Sequence, residues 1–190
     1  MIQEEDYVRL TTIRGIIWAL IVTCYFTAPV WAQTGQSEAA AAKPSVRISG
    51  EVERPITLGA EDLAKLPRRT IRAKDHGGKE SEFEGSPLIE VLKLAGVKFG
   101  EGLKGKNLTL YLVVEASDGY SVVYALPELD PAYADKVVLI VDQRDGKPLD
   151  SKEGPLRLVV PDEKMHARWV RQVTGLVIKR APYSIFHLNE

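Results

Sequence analysis

The sequence contains very little cysteine: Cys24 is the one such residue among 190. A single cysteine excludes an intrachain disulfide and any site built from several thiolates, such as a four-cysteine zinc site or an iron–sulfur cluster. The chain also lacks an excess of one charge, since 25 Lys and Arg face 26 Asp and Glu. It therefore lacks the excess of positive charge that is typical of proteins that bind nucleic acid. Its 45% hydrophobic and 27% charged residues are typical of a globular domain and argue against a polytopic membrane protein.

The one long hydrophobic run lies near the N-terminus, at residues 15–32. Arg9 and Arg14 precede it, and Val30-Trp31-Ala32 closes it with residues that suit a signal peptidase. A basic region, an apolar region and a cleavage motif in this order are typical of a secretory signal peptide. We therefore expect residues 1–32 to be a signal peptide and the mature protein to be periplasmic or secreted, with no membrane contact after cleavage.

The alternative is an uncleaved membrane anchor, because the run is close to the minimum length for a membrane span. A lipoprotein is disfavoured, because Ile21-Val22-Thr23 before Cys24 lacks the small residues that lipidation requires. Cleavage after Ala32 would remove Cys24 with the signal. The mature chain would then have no thiol to act as a nucleophile or a metal ligand.

The remaining chain divides into three parts. Residues 33–45 are rich in Ala, Gln and Ser and predict a flexible linker. Residues 46–180 are densely patterned and predict one domain, and residues 181–190 are expected to dock on its surface through Tyr183, Ile185 and Phe186.

The patterning of residues 46–180 predicts a strand-rich α+β domain with a few short helices. Residues 46–52 alternate apolar and polar side chains, as a half-buried strand does. Ser86-Pro87 predicts a helix start with Ser86 as the N-cap, and Gly96 predicts its left-handed end. Asp118-Gly119 predicts a hairpin turn. Further strands are expected at residues 70–74, 108–114, 121–126, 136–141, 156–160 and 169–178, and further helical turns at 58–66 and 127–135.

The most reactive-looking motif is Asp75-His76-Gly77-Gly78. A histidine beside an aspartate can serve as a general base or a metal ligand, and the same motif also suits a polar turn after a strand. His166 and His187 do not share a helical spacing, so no histidine-based metal site is predicted. Arg68, Arg69 and Arg72 form a basic group that suits either a phosphate-bearing ligand or a charged surface strand. Motifs of nucleophilic or nucleotide-binding enzymes are absent, which favours a binding domain.

Six segments, however, occur in an order that is known from one family. Their signature residues are Gly50–Pro55; Thr57-Leu58 with Asp62-Leu63 and Leu66-Pro67; Phe83–Leu88 with Val91-Leu92 and Ala95-Gly96; Asp118–Tyr120 with Ala125–Pro127; Asp145–Leu149 with Gly154–Pro161; and Arg168–Val170. In this order they resemble the sulfite-oxidase-type molybdopterin-binding domain. The resemblance covers about residues 49–179, nearly the whole predicted domain.

The resemblance implies a pterin cofactor whose dithiolene holds molybdenum, with a protein cysteine as a further ligand. In the family, that cysteine ends the strand that precedes the helix of the aromatic-Gly-Pro-Leu pattern, which is Phe83–Leu88 here. Ala73 falls at the position of the cysteine in this sequence. The resemblance also suggests Tyr120 for the catalytic tyrosine and Arg168 for a basic residue that faces the pterin. Arg72 and His76, which flank Ala73, are the further candidates for cofactor contacts.

We therefore expect an exported relative of the sulfite oxidase fold that binds a small-molecule or pterin-like ligand, or an exported partner protein, without redox chemistry. An alanine methyl cannot ligate a metal, so the sequence predicts no metal ligand and gives molybdopterin only through the resemblance. One alternative is a molybdopterin-dependent oxidoreductase with altered metal ligation. A second alternative is an accessory subunit of an exported complex, which would dock through its tail.

Overall fold

The computed structural model describes residues 43–182. The predicted signal peptide, Cys24 and the tail residues Tyr183, Ile185 and Phe186 lie outside this range. Between residues 43 and 182, no helix is long and apolar enough to cross a membrane.

The first sheet brings the two ends of the described chain together. Its strands are β1 (Ser45–Gly50), β2 (Ile56–Gly59), β5 (Leu110–Ala116), β6 (Ser121–Ala125) and β10 (Val173–Arg180), in the order β2-β1-β10-β5-β6. The β1–β10 pair is parallel, and the other pairs are antiparallel. Strands β5 and β6 form the hairpin that Asp118-Gly119 predicts, with Gly119 at a φ of 86°.

The second sheet carries the segment that contains Ala73. It comprises β3 (Arg69–Lys74), β4 (Glu80–Pro87), β7 (Leu139–Arg144), β8 (Lys147–Pro148) and β9 (Arg157–Val159). The order is β3-β4-β7-β8, and β9 pairs with β7 on the same sheet. All its pairs are antiparallel.

The helices are short. They are α1 (Ala60–Ala64), α2 (Leu88–Lys93) and α3 (Leu126–Leu129), with 3₁₀ turns at Gly100–Gly102, Gly105–Thr109 and His166–Arg168. Helix α2 begins one residue later than the sequence predicts, because Ser86 still pairs with Ile140 in the sheet. The prediction that Ser86 caps this helix is therefore wrong: Pro87 holds the cap position, and the buried Ser86 hydroxyl has no hydrogen-bond partner in the described structure. Gly96 has a φ of 83° after α2, as predicted.

Apolar side chains from both sheets and the helices form one core. Alternate residues of the first sheet, such as Ile48, Leu112 and Leu176, are fully buried, as the two-residue period of a strand requires. Phe83 and Leu139 contribute from the second sheet. The strand-rich α+β class predicted from the sequence is confirmed.

Candidate functional site

A cavity of about 470 Å³ opens where five segments of the domain meet. Its volume lies within the range of small-molecule sites. His76 reaches it from the β3–β4 turn, Tyr120 from the β5–β6 hairpin, and the remaining walls come from residues around β9 and the chain before β10. The lining residues are His76, Ala116, Asp118, Tyr120, Lys152, Arg157, Met165, His166, Ala167, Trp169, Val170, Arg171 and Gln172.

The cavity contains a buried cation, Arg157. This side chain is only 1% exposed, although arginine is almost never fully buried unless it is paired. Its guanidinium lies between two aromatic rings, 5.5 Å from the centroid of Phe83 and 5.4 Å from that of Trp169. Burial lowers the pKa of Arg157, and the nearby Glu153 carboxylate opposes this effect.

The hydrogen bonds of Arg157 are incomplete. Its Nη1 donates to Glu153 Oε1 at 2.7 Å, but its Nε is buried without a hydrogen-bond partner among residues 43–182. The Glu153 oxygen is shared, since it also accepts a hydrogen bond from Arg144 Nη1 at 3.0 Å. Arg144 donates to Asp75 as well, whereas Arg157 pairs with no second carboxylate in the described part of the chain. The charge of Arg157 is therefore balanced by fewer carboxylates than that of Arg144, and Arg157 lines the cavity.

Tyr120 joins the hairpin to the opposite wall of the cavity. Its hydroxyl donates to the carbonyl of Ala167 at 2.7 Å. The carbonyl of Gln172 and the Gln172 side chain accept hydrogen bonds from Ser117 on the same hairpin. In this structure the Tyr120 hydroxyl thus donates its hydrogen bond to the backbone of the 165–172 segment.

Aromatic contacts connect the rim of the cavity to its floor. The rings of His76 and His166 meet edge to face with their centroids 6.2 Å apart, and His166 meets Trp169 in the same way at 4.6 Å. Trp169 in turn contacts Phe83 at 6.0 Å and donates from its indole nitrogen to the Val160 carbonyl at 2.8 Å. Trp169 is therefore fixed on both sides.

Ala73 lies close to these residues in sequence but does not line the cavity. It is 7% exposed, belongs to the hydrophobic core and pairs with Ser81 across β3 and β4. Ser81 accepts a hydrogen bond from Arg144 Nε at 3.0 Å, so the neighbourhood of Ala73 is filled by protein contacts.

The residues present do not fit a molybdenum held by a protein thiolate. Ala73 offers a buried methyl group, and residues 43–182 include no cysteine. Within that same range, no three His, Cys, Asp or Glu side chains are placed to hold a metal. No reaction step through a molybdenum centre is derived for this chain.

Arg168 faces away from the cavity into a cluster of charges. It donates from Nη2 to Glu128 Oε1 at 2.9 Å and lies 3.3 Å from Glu163, and Lys136 contacts both carboxylates. Its guanidinium carbon lies 3.8 Å from the ring centroid of Tyr124, which is a cation–π contact. Burial opposes the charge of Arg168 and lowers its pKa, but the hydrogen bond to Glu128 and the electrostatic effects of Glu128 and Tyr124 together outweigh burial and raise the pKa.

Arg72 lies apart from the other candidates. Its side chain is 75% exposed and faces Glu82 at 3.6 Å on the outer surface of β3. Side chains alternate along a strand, so Arg72 and the buried Ala73 point to opposite faces. Of the four residues proposed from the sequence, the structure brings His76 and Tyr120 to one cavity and places Arg72 and Arg168 elsewhere.

Sequence reasoning did not identify Arg157 or Trp169 as site residues. A signal for Arg157 was present, because it interrupts the apolar run Leu156-Arg157-Leu158-Val159-Val160. A charge inside a buried strand requires a partner or a role. The position of Trp169 depends on how the 165–172 segment folds, which no local pattern reveals.

Comparisons with known proteins agree with this fold. The model of the family described as "oxidoreductase molybdopterin binding domain" matches residues 34–186. Among solved structures, the sulfane dehydrogenase SoxCD from Paracoccus pantotrophus is similar, with a TM-score of 0.55 and 24% sequence identity. The match covers 70% of this chain and 37% of that one, so this chain spans little more than a third of the SoxCD chain. No curated protein matches. The chain belongs to the oxidoreductase molybdopterin-binding domain family.

Proposed function

We propose that this protein is an exported member of its family that binds a small anionic ligand without redox chemistry. The observation that carries the proposal is Ala73, which stands where the family's metal-ligating cysteine is expected. The thiolate is a strong, soft ligand that tunes the reactivity of its metal. With a methyl group at this position, the domain retains its fold and its cavity but has lost the protein ligand of the redox metal.

The chemistry of the cavity supports an anionic ligand. Arg157 has an unpartnered Nε, and Lys152 and Arg171 add positive charge to the lining, against Asp118 as its one carboxylate. A carboxylate or oxyanion would accept the free hydrogen bond and reduce the cost of burying the guanidinium. Tyr120, whose side chain is partly exposed, offers an aromatic ring to the same cavity, which suits a small flat molecule.

Calorimetric titration of the mature protein with benzoate, and separately with sulfate, tests the anionic ligand. We expect binding of benzoate that weakens by about tenfold or more in Arg157→Met, because an Arg–carboxylate hydrogen bond contributes roughly 1.5–3 kcal/mol. Arg47→Met is the matched control, since Arg47 is exposed on β1 and does not line the cavity. Binding by sulfate alone would indicate an oxyanion site without ring recognition. Equal binding by both variants would contradict the role of Arg157.

The family itself favours a second candidate, a molybdopterin-dependent oxidoreductase whose metal is ligated without a cysteine. This candidate predicts turnover of sulfite or a sulfoxide after reconstitution with the cofactor, and a loss of rate in Tyr120→Phe. Absence of turnover, with no effect of Tyr120→Phe, would exclude it.

A third candidate, an accessory subunit, predicts co-purification with a partner that is lost when residues 182–190 are removed.

A further inference from the structure

The rim of the cavity brings together three of the four histidine and methionine side chains that follow Met1. The sequence has three histidines and, apart from Met1, a single methionine. Two of the histidines, His76 and His166, line the same cavity as that methionine, Met165. His76 comes from the β3–β4 turn, whereas Met165 and His166 precede β10, so the fold and not the local sequence creates this group.

The two imidazoles are close enough to share one ion. Their centroids are 6.2 Å apart with the ring planes at 89°, and a metal–imidazole bond is about 2 Å long. A rotation of the ring that presents its face would therefore let one ion reach a nitrogen of each ring. The contacts of the two rings in the described structure are with each other and with Trp169, and neither ring is held by a hydrogen bond to a described residue. Their nitrogens are therefore available for coordination.

Met165 supplies a thioether to the lining of the same cavity. Its side chain is 75% exposed, although a methionine usually fills gaps in a core. A single exposed apolar side chain is ordinary on a protein surface. What distinguishes Met165 is that it is the neighbour of one imidazole in sequence and shares the cavity with both.

The charges around the rim select the kind of ion. Lys152, Arg157 and Arg171 line the same cavity with Asp118 as the only carboxylate, which disfavours a divalent cation. No third His, Cys, Asp or Glu joins the two histidines anywhere in residues 43–182. Thioether ligands select Cu(I), and imidazole also binds copper well. We infer that His76, Met165 and His166 form a surface site for a single Cu(I) ion, with no dependence on the anionic ligand proposed above.

An anaerobic titration of the full mature protein with Cu(I), in competition with bicinchoninate, tests this site. We expect one Cu(I) per chain, with affinity lowered about 100-fold in His76→Gln and in His166→Gln, and about tenfold in Met165→Leu. His187→Gln is the matched control, because His187 is the one histidine outside the group, and it should leave the affinity unchanged. X-ray absorption of the bound copper should show sulfur in addition to nitrogen neighbours.

Four results would overturn the inference. The first is the absence of Cu(I) binding in the wild-type protein. The second is Cu(I) binding that persists in the double variant His76→Gln/His166→Gln while near-ultraviolet circular dichroism shows a folded protein. The third is a stronger loss in His187→Gln than in His76→Gln. The fourth is a Met165→Leu variant that binds Cu(I) as tightly as the wild type, together with no sulfur neighbour in the absorption spectrum. This result would exclude the thioether as a ligand and with it the reason to prefer Cu(I).

Discussion

At the scale of single residues, the buried charge of Arg157 dominates the site. Burying a guanidinium is tolerable only where carboxylates and hydrogen bonds replace water. Here one carboxylate, Glu153, serves both Arg157 and Arg144, and the Arg157 Nε remains unpartnered. The stability of the cavity therefore depends on a carboxylate that does not line it.

Glu153→Gln tests this dependence. Removing the charge leaves Arg157 buried without a carboxylate, and we expect the free energy of unfolding to fall by about 3 kcal/mol. Urea denaturation measures the change. Glu101→Gln is the matched control, because the Glu101 side chain is 93% exposed in its ion pair and should contribute less than about 1 kcal/mol. Equal losses in the two variants would show that the buried pair does not stabilise the fold.

At the scale of elements, the close approach of β4 and β7 leaves no room for a side chain at Gly85. A Cβ atom there would lie 2.1 Å from the Ile140 carbonyl oxygen and 2.5 Å from the Val141 Cα. Both are backbone atoms, so neither can move without disturbing the sheet. A register shift between Glu84 and Gly85 marks the same place.

Gly85→Ala should therefore destabilise the protein by about 3 kcal/mol, at the upper end of the range for overpacking. Thermal unfolding followed by circular dichroism provides the measurement. At Gly59 the nearest atom to an added Cβ is a side-chain oxygen at 3.9 Å, so Gly59→Ala should change the stability by less than about 1 kcal/mol. A Gly85→Ala protein as stable as Gly59→Ala would refute the tight β4–β7 contact.

A second element-scale contact ties α3 to the 163–168 segment through charge. Burial alone would raise the pKa of Glu128, but hydrogen bonds from Lys136 and Arg168 outweigh it and hold the pKa below its ordinary value of 4.5. A carboxyl with a depressed pKa in the folded state contributes stability at pH values above its unfolded pKa, and this contribution is lost as the pH falls through the folded pKa.

The free energy of unfolding should accordingly decrease as the pH falls below about 4.5. In Glu128→Gln we expect a loss of about 1–2 kcal/mol at pH 7 and a weaker dependence on pH between about 5 and 3. The dependence should not vanish, because Arg144 also holds the pKa of Asp75 below its ordinary value against the effect of burial. Urea denaturation at several pH values gives both quantities, and parallel curves for wild type and variant would contradict this account.

Local patterns predicted the elements better than they predicted their ends. The Asp118-Gly119 hairpin and the Gly96 helix end follow from backbone conformations that few other residues adopt. The start of α2 could not be predicted in this way, because the pairing of Ser86 with Ile140 across the sheet overrides the local capping signal. The helical turn predicted for residues 58–66 begins too early, because Leu58 and Gly59 belong to β2 and pair with β1. A local pattern does not show this pairing.

At the scale of the whole molecule, the site depends on which segments the two sheets bring together. His76 was a candidate from its motif, yet its neighbours His166 and Met165 lie in another part of the chain. Arg168 was a candidate through the resemblance, yet its guanidinium pairs with Glu128 and Glu163. The side of a segment that faces a cavity is decided by tertiary packing, and the sequence alone could not predict it.

Export is the whole-molecule prediction that the sequence makes most directly. We expect the mature protein to begin at Gln33, because Val30-Trp31-Ala32 suits a signal peptidase. Mass spectrometry of the protein from a periplasmic or secreted fraction would show residues 33–190. A full-length chain recovered from the membrane fraction would instead support an uncleaved anchor.

We infer that this member of the family works without a molybdenum centre, and metal analysis of the purified protein can decide the matter. The protein should be produced in a host that makes molybdopterin, with Ala73→Cys prepared in parallel. Molybdenum by mass spectrometry and pterin by fluorescence should both be far below one equivalent per wild-type chain. One equivalent of each in the wild-type protein would contradict the claim.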